Sequence, residues 1–353
     1  MREGPGPEDG DAASIEEAVS IKRHPARSIA ITLLQLLVCG FVVWLVVYLD
    51  LVDFSLLSGL LNHPGAIAFV FVLTLLTVPL AGFRWYLLMR AQAVEVELLP
   101  TLRVTAVAAA GNALILGGIG GEVARVAFAA RQPAGQRTAA LTSIALDRVL
   151  AMLGVLVIGS AAVPMLSATI MRSHVLSVAA AGLIGGSLAA IAAIAIAIFA
   201  VGARRITQLV ETWVRPRGLA ATILRMMHVI ACYRAQWRTL VAAALLSTAI
   251  AAIGPISLFI LSSTQGAADL GYPGTVLATS IAMIANLLPI APGGLGVGEG
   301  VFAQLCVLLG GTSAAAQYGT VFLGNRAIST LALLAGLLAA IGHRHEAGMK
   351  IRN

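Results

Sequence analysis

Asp147-Arg148 and Asn325-Arg326 are polar pairs set inside long apolar runs. A charge at the centre of a membrane helix costs about 2.5–3.5 kcal/mol on insertion scales, so such residues mark function or a specific partner. At 1.5 Å per helical residue, Asp147-Arg148 lies roughly 14 Å deep from one face and Asn325-Arg326 roughly 11 Å deep from the other. Arg148 and Arg326 can therefore receive an anionic group near the midplane, of which a lipid phosphate is one example. They can equally pair with Glu122, Glu299 or Asp147 and clamp the protein together. An alternating cycle accommodates both roles.

Glu122 and Glu299 each open a helix that follows a glycine-rich break. An acid in the first turn complements the helix dipole, and Glu122 has Arg125 nearly one turn later on the same face. These acids, with Asp147, are also candidates for gating or charge compensation, because burial raises a carboxyl pKa towards neutrality. Arg125 and Asn325 are further candidates for contact with a substrate headgroup.

The breaks themselves are Gly117-Gly118-Ile119-Gly120-Gly121 and Pro292-Gly293-Gly294-Leu295-Gly296. They free backbone N–H groups at helix starts, which bind anions, and their glycines can act as hinges. Irregular backbone at membrane depth must face protein or a polar cavity. Asn112 and Asn286 are placed to satisfy it. Arg84 and Trp85, near the end of an apolar run, are expected to anchor it at the membrane surface.

Several chemistries are excluded. No Gly-Lys-Ser/Thr follows either glycine run, so no nucleotide loop is present. Cys39, Cys232 and Cys306 are far apart and form no CxxC. His343 and His345 lack further ligands nearby. Neither a metal nor another cofactor is expected, and the net charge of +7 is distributed for a membrane surface rather than for nucleic acid.

These side chains must be positioned by membrane helices. The 353 residues are 59% hydrophobic and only 11% charged, with mean hydropathy +0.94; soluble proteins carry about 25% charged residues. Apolar runs at 29–49, 66–88, 138–165, 175–201, 239–263 and 318–341 are long enough to span, for which about 20 residues suffice. Two regions, 101–133 and 273–310, are broken by the glycine runs. Their second limbs hold about a dozen apolar residues, or roughly 18 Å of helix, too short for a 30 Å hydrocarbon core. Each is expected to be a re-entrant hairpin.

With a cytoplasmic N-terminus, this topology puts every Lys and Arg on the inner side except Arg172, outside, and Arg148 and Arg326, within spans. That agrees with the positive-inside rule. Residues 1–28 form a polar tail expected to be disordered, with no signal-peptide pattern. Residues 202–238 form an Arg-rich cytoplasmic linker, expected to lie as an amphipathic helix on the membrane. Residues 343–353 form a polar cytoplasmic tail after the transmembrane domain, 29–342.

The hairpins are repeats. Each has an Asn, then Gly-Gly-Ile/Leu-Gly, then a Glu, with Asp147-Arg148 or Asn325-Arg326 at nearly the same distance downstream. Units 66–165 and 239–341 then have opposite orientation. The expected fold is an all-α polytopic membrane protein with six spans and two re-entrant hairpins in inverted repeats, an arrangement that places transporter sites at the midplane.

Gly117-Gly118-Ile119-Gly120-Gly121-Glu122 with Arg125, Asp147-Arg148, and Pro292-Gly293-Gly294-Leu295-Gly296 with Glu299 resemble the lysylphosphatidylglycerol synthase transmembrane-region family. The resemblance covers about residues 25–342. It is similar to the flippase-like half of the multiple peptide resistance factor, and implies movement of an anionic or headgroup-modified lipid between leaflets of the cytoplasmic membrane. It further implies a transporter rather than an enzyme, with membrane lipids and a lipid-modifying enzyme as partners. The chain ends soon after its last span, so a soluble aminoacyltransferase domain is not expected; Glu122 stands where many relatives carry Asp. The competing readings are a secondary transporter of a small soluble anion, a membrane-embedded lipid-linked sugar transferase, and a partner subunit that does not transport.

Overall fold

The computed structural model describes residues 54–114, 120–199, 233–287 and 295–350. The expected first span at 29–49, the N-terminal tail and most of the Arg-rich linker lie outside these residues. So do Gly117, Gly118, Pro292, Gly293 and Gly294.

The described residues form helices joined by short turns, with no strand among them. Helix α1 is Phe54–Leu61 and α2 is Pro64–Ala91. Pro64 opens α2, a position where a missing N–H costs nothing. The first hairpin is α3, Leu98–Leu114, and α4, Gly120–Ala130; α5 follows at Ala134–Ala162 and α6 at His174–Phe199. The second half comprises α7, Trp237–Thr264, a hairpin of α8, Gly271–Ala285, and α9, Val297–Leu308, and then α10, Ala315–Lys350. Helix α10 runs on through His343 to Lys350.

Five helical segments are long and apolar enough to cross a membrane: Pro64–Ala91, Gly135–Ile170, His174–Ile196, Tyr233–Thr264 and Ala315–Ala340. They coincide with the five expected spans that fall within the described residues. The hairpin limbs are shorter. Helices α4 and α9 have 11 and 12 residues, or roughly 16–18 Å. In the first hairpin the Gly121 N–H donates to Asn112 Oδ1 at 3.0 Å, so the start of α4 folds back onto the end of α3. A Cβ at Gly121 would meet the Ala108 carbonyl, and glycine is what permits this crossing.

The packing repeats. Helix α3 packs on α4 and α10 as α8 packs on α9 and α5, and the α2–α10 contact is matched by α7–α5. Prolines inside α2 and α7, Pro79 and Pro255, fall at corresponding places. Directions are set by individual contacts. Tyr233 OH donates to the Leu88 carbonyl and Arg84 reaches Ser247, so α2 and α7 run antiparallel. Along α10, Gly324, Ser329 and Gly336 meet Leu60, Thr74 and Leu75 in turn, so α10 runs parallel to α2. Equivalent first helices pointing opposite ways make the two units inverted repeats.

Small residues allow the central helices to approach. Gly154 of α5 lies against α7, where an added Cβ would come within 2.6 Å of the Ser247 carbonyl oxygen. Without a hydrophobic force between helices in lipid, such small-residue contacts and buried polar bonds hold the bundle.

Candidate functional site

Both hairpins end in the same construction. Helix α9 begins after Gly296, whose φ of +81° is open to glycine at little cost. Three residues on, Glu299 turns back so that Oε2 accepts the Gly296 N–H at 2.8 Å. Its Oε1 pairs with Arg326 Nη1 at 2.9 Å. In the first unit, Glu122 opens α4 and pairs with Arg148 of α5. Asn112 binds the Gly121 backbone, and Asn286 packs against the equivalent Gly298, where a Cβ would come within 2.5 Å of its amide. Asn112 thus takes the backbone-satisfying role expected of it.

The two ion pairs differ in exposure. Glu299 and Arg326 side chains are 2% and 22% exposed, while Glu122 and Arg148 are 27% and 49% exposed. One pair is sealed and its counterpart is half open.

Asp147, 1% exposed, sits at the centre of a buried triad. Its Oδ1 accepts from Arg84 Nε and its Oδ2 from Arg125 Nη1, each at 2.7 Å. Arg84 also donates to Ser247 Oγ at 2.9 Å, tying α2, α4 and α5 to α7. Trp85 Nε1 donates to Ser143 Oγ at 3.1 Å, and the Arg125 guanidinium lies 5.1 Å from the Trp85 ring centre. Arg84 and Trp85 are therefore interior residues, not the interfacial anchors the sequence led us to expect. Arg125 binds Asp147 rather than Glu122: a bond between buried charges outweighs the few tenths of a kcal/mol available from neighbours on one helix surface.

A cavity of about 340 Å³ adjoins the triad, lined in part by Arg84, Ser247, Ser257, Asn325 and Ser329. It lies between the two repeat units. Ser257 Oγ and Asn325 Oδ1 are buried without a hydrogen-bond partner. No group of three or more His, Cys, Asp or Glu side chains suited to a metal ion occurs among the described residues.

The structure thus brings together Glu122 with Arg148, Glu299 with Arg326, and Arg125 with Asp147. Gly120 starts α4, and Gly296 precedes α9. Arg84, Ser247 and Ser257 are the site residues that sequence reasoning missed. The available signal for Arg84 was its place well inside a helix that continues to Ala91.

This arrangement of a charged interior between two glycine-broken hairpins can now be compared with known proteins. The lysylphosphatidylglycerol synthase TM region family matches residues 29–336. The chain belongs to this family. No curated protein matches the chain, and neither does any solved structure. The chain is a multi-pass membrane protein of that family.

Proposed function

We propose that the protein is a flippase-like transporter that moves an anionic or headgroup-modified lipid between the leaflets of the cytoplasmic membrane, and performs no covalent chemistry. The observation that carries this reading is the unequal exposure of two equivalent ion pairs, one in each of the repeat units that share the cavity. Glu299–Arg326 is sealed while Glu122–Arg148 is half open, as alternating access between inverted repeats requires. A headgroup enters the cavity between the units while its acyl chains stay in the bilayer. Both termini face the cytoplasm in this reading, and a lipid-modifying enzyme supplies or uses the lipid.

The test is a leaflet-asymmetry assay in proteoliposomes with fluorescent phosphatidylglycerol, its lysyl derivative and a polyprenyl phosphate. Faster loss of asymmetry for one of these lipids, reduced in Arg148→Ala, is the expected result. Rates equal to those of protein-free vesicles for all three would count against translocation. Saturable uptake of a water-soluble anion would replace it with the small-anion reading.

A further inference from the structure

Among the described residues, the ion pairs between the helices do not balance. Arg84, Arg125, Arg148 and Arg326 face Asp147, Glu122 and Glu299, four guanidiniums against three carboxylates. The excess positive charge belongs to the triad, where two arginines share Asp147. A positive charge with no matching carboxylate in a low-dielectric interior is costly, and a cavity that reaches one of its guanidiniums is where a mobile counter-charge gains most.

In a largely apolar wall, that cavity gathers a few polar groups that can hold an anion. Arg84, 4% exposed, is one of its walls. Ser257 is 1% exposed, and its Oγ has no partner; a serine hydroxyl can rotate to donate. No hydrogen bond fixes the Asn325 amide oxygen, so its NH₂ can turn into the cavity. At about 340 Å³ the space lies at the small end of ligand pockets, about 300–1,000 Å³. It suits a headgroup rather than a whole lipid.

We propose that the cavity between the repeats is a phosphate site, formed by Arg84, Ser257 and Asn325, which accepts headgroups of net negative charge and rejects those made cationic by an added amino acid. This rests on the transport reading above and narrows its substrate class. A phosphate diester brings one negative charge and neutralises the triad. An aminoacylated headgroup brings the same phosphate with further ammonium groups, and so leaves the excess in place.

Binding is measured on the full chain in phosphatidylcholine nanodiscs, titrated with phosphatidylglycerol, lysylphosphatidylglycerol or inorganic phosphate. Phosphatidylglycerol is expected to bind at least about tenfold more tightly than its lysyl derivative, the preference one desolvated charge readily supplies. Asn325→Asp cancels the excess charge without removing any ion pair, and should level that preference. Should this variant fail to fold, Ser257→Ala removes one neutral donor and is expected to weaken phosphatidylglycerol about fivefold, the size of a single hydrogen bond. Equal affinity for the two lipids, or an unchanged preference in Asn325→Asp with unchanged affinity in Ser257→Ala, overturns the proposal. Inorganic phosphate that competes with phosphatidylglycerol supports the shared chemistry. Phosphate binding weakened in Ser257→Ala, with no lipid competition, upholds the site but overturns its use for lipid. Intact selective binding without translocation in proteoliposomes leaves the site standing and overturns only the transport reading.

Discussion

Asn325 occupies in the second repeat unit the place that Asp147 occupies in the first, and this difference decides which unit carries the buried triad. Both residues precede an arginine that pairs with the glutamate of the preceding hairpin. Aligning Glu122 with Glu299 sets Arg125 opposite Phe302, which is 1% exposed. Aligning Pro79 with Pro255 sets Arg84 opposite Ile260. The second unit thus lacks all three members of the triad, with apolar residues opposite both arginines and a neutral amide opposite the aspartate. Two units of common design have become one charged half and one neutral half around a shared cavity.

Asp147→Asn should be among the most damaging single substitutions. It leaves Arg84 and Arg125 buried and facing each other without a carboxylate. Breaking a buried ion pair on one side costs about 3–5 kcal/mol. The expected result is a large fall in the melting temperature of detergent-solubilised protein, followed by size-exclusion chromatography. Adding Arg125→Gln to Asp147→Asn should recover part of the loss, because it removes one of the stranded charges. Similar melting temperatures for wild type and Asp147→Asn would contradict the triad.

The two hairpin ion pairs should respond unequally to the loss of their arginines. Arg326→Ala strands Glu299, whose side chain is 2% exposed, and is expected to cost about 3–5 kcal/mol. Arg148→Ala removes a half-exposed partner, and exposed pairs contribute only about 0–1 kcal/mol. Arg148→Ala is therefore the variant in which function can be read separately from folding. Thermal melts of the two variants side by side check the order, and a reversed order would remove the distinction between the sealed and the half-open ion pair.

The sequence displayed the skeleton of this site because ionisable residues are rare in membrane helices. Asp147, Arg148 and Arg326 stood out for that reason, and the Asn-glycine-Glu pattern exposed the repeat. Partners were less legible. Arg125 lies one turn from Glu122, and local spacing favoured that pair, but helix α4 turns Arg125 onto Asp147 of the following helix, α5. Arg84 beside Trp85 had the composition of a surface anchor; only packing of α2 against α5 and α7 shows that both are interior. Tyr233 sat within the Arg-rich linker, and nothing in its neighbours marked it as a buried residue bonded to the Leu88 carbonyl.

Glycines at helix crossings provide a test of the packing that is independent of charge. A Cβ at Gly154 would press on the Ser247 carbonyl, and one at Gly121 on the Ala108 carbonyl. Backbone atoms cannot move aside as a flexible side chain can. Gly154→Ala and Gly121→Ala are expected to cost about 1–3 kcal/mol each, the usual penalty of overpacking. Gly185 has nothing within 4 Å of an added Cβ, so Gly185→Ala should be neutral or stabilise its helix by up to about 1 kcal/mol. Thermal melts of the three variants test this, and equal responses would mean that α5 and α7 do not cross where the structure places them.

A pH dependence is expected from Asp269, in the turn between α7 and α8. Its carboxylate joins that turn to the segment leading into α10, accepting bonds from the Thr312 N–H and Oγ1, the Ser313 N–H and Tyr318 OH. Partial burial works to raise its pKa, but the bonds from Tyr318, Thr312 and Ser313 together prevail and hold it well below the usual carboxylate range. The unfolded chain releases the proton near pH 3.9. A group depressed in the folded state stabilises fully above that unfolded value, and its contribution is lost as pH falls through the folded one. The melting temperatures of wild type and Asp269→Asn should therefore differ by a constant amount from neutral pH down to about 5, and converge below about 4. A difference that is the same at pH 3 as at pH 7 would show that the link is steric rather than ionic.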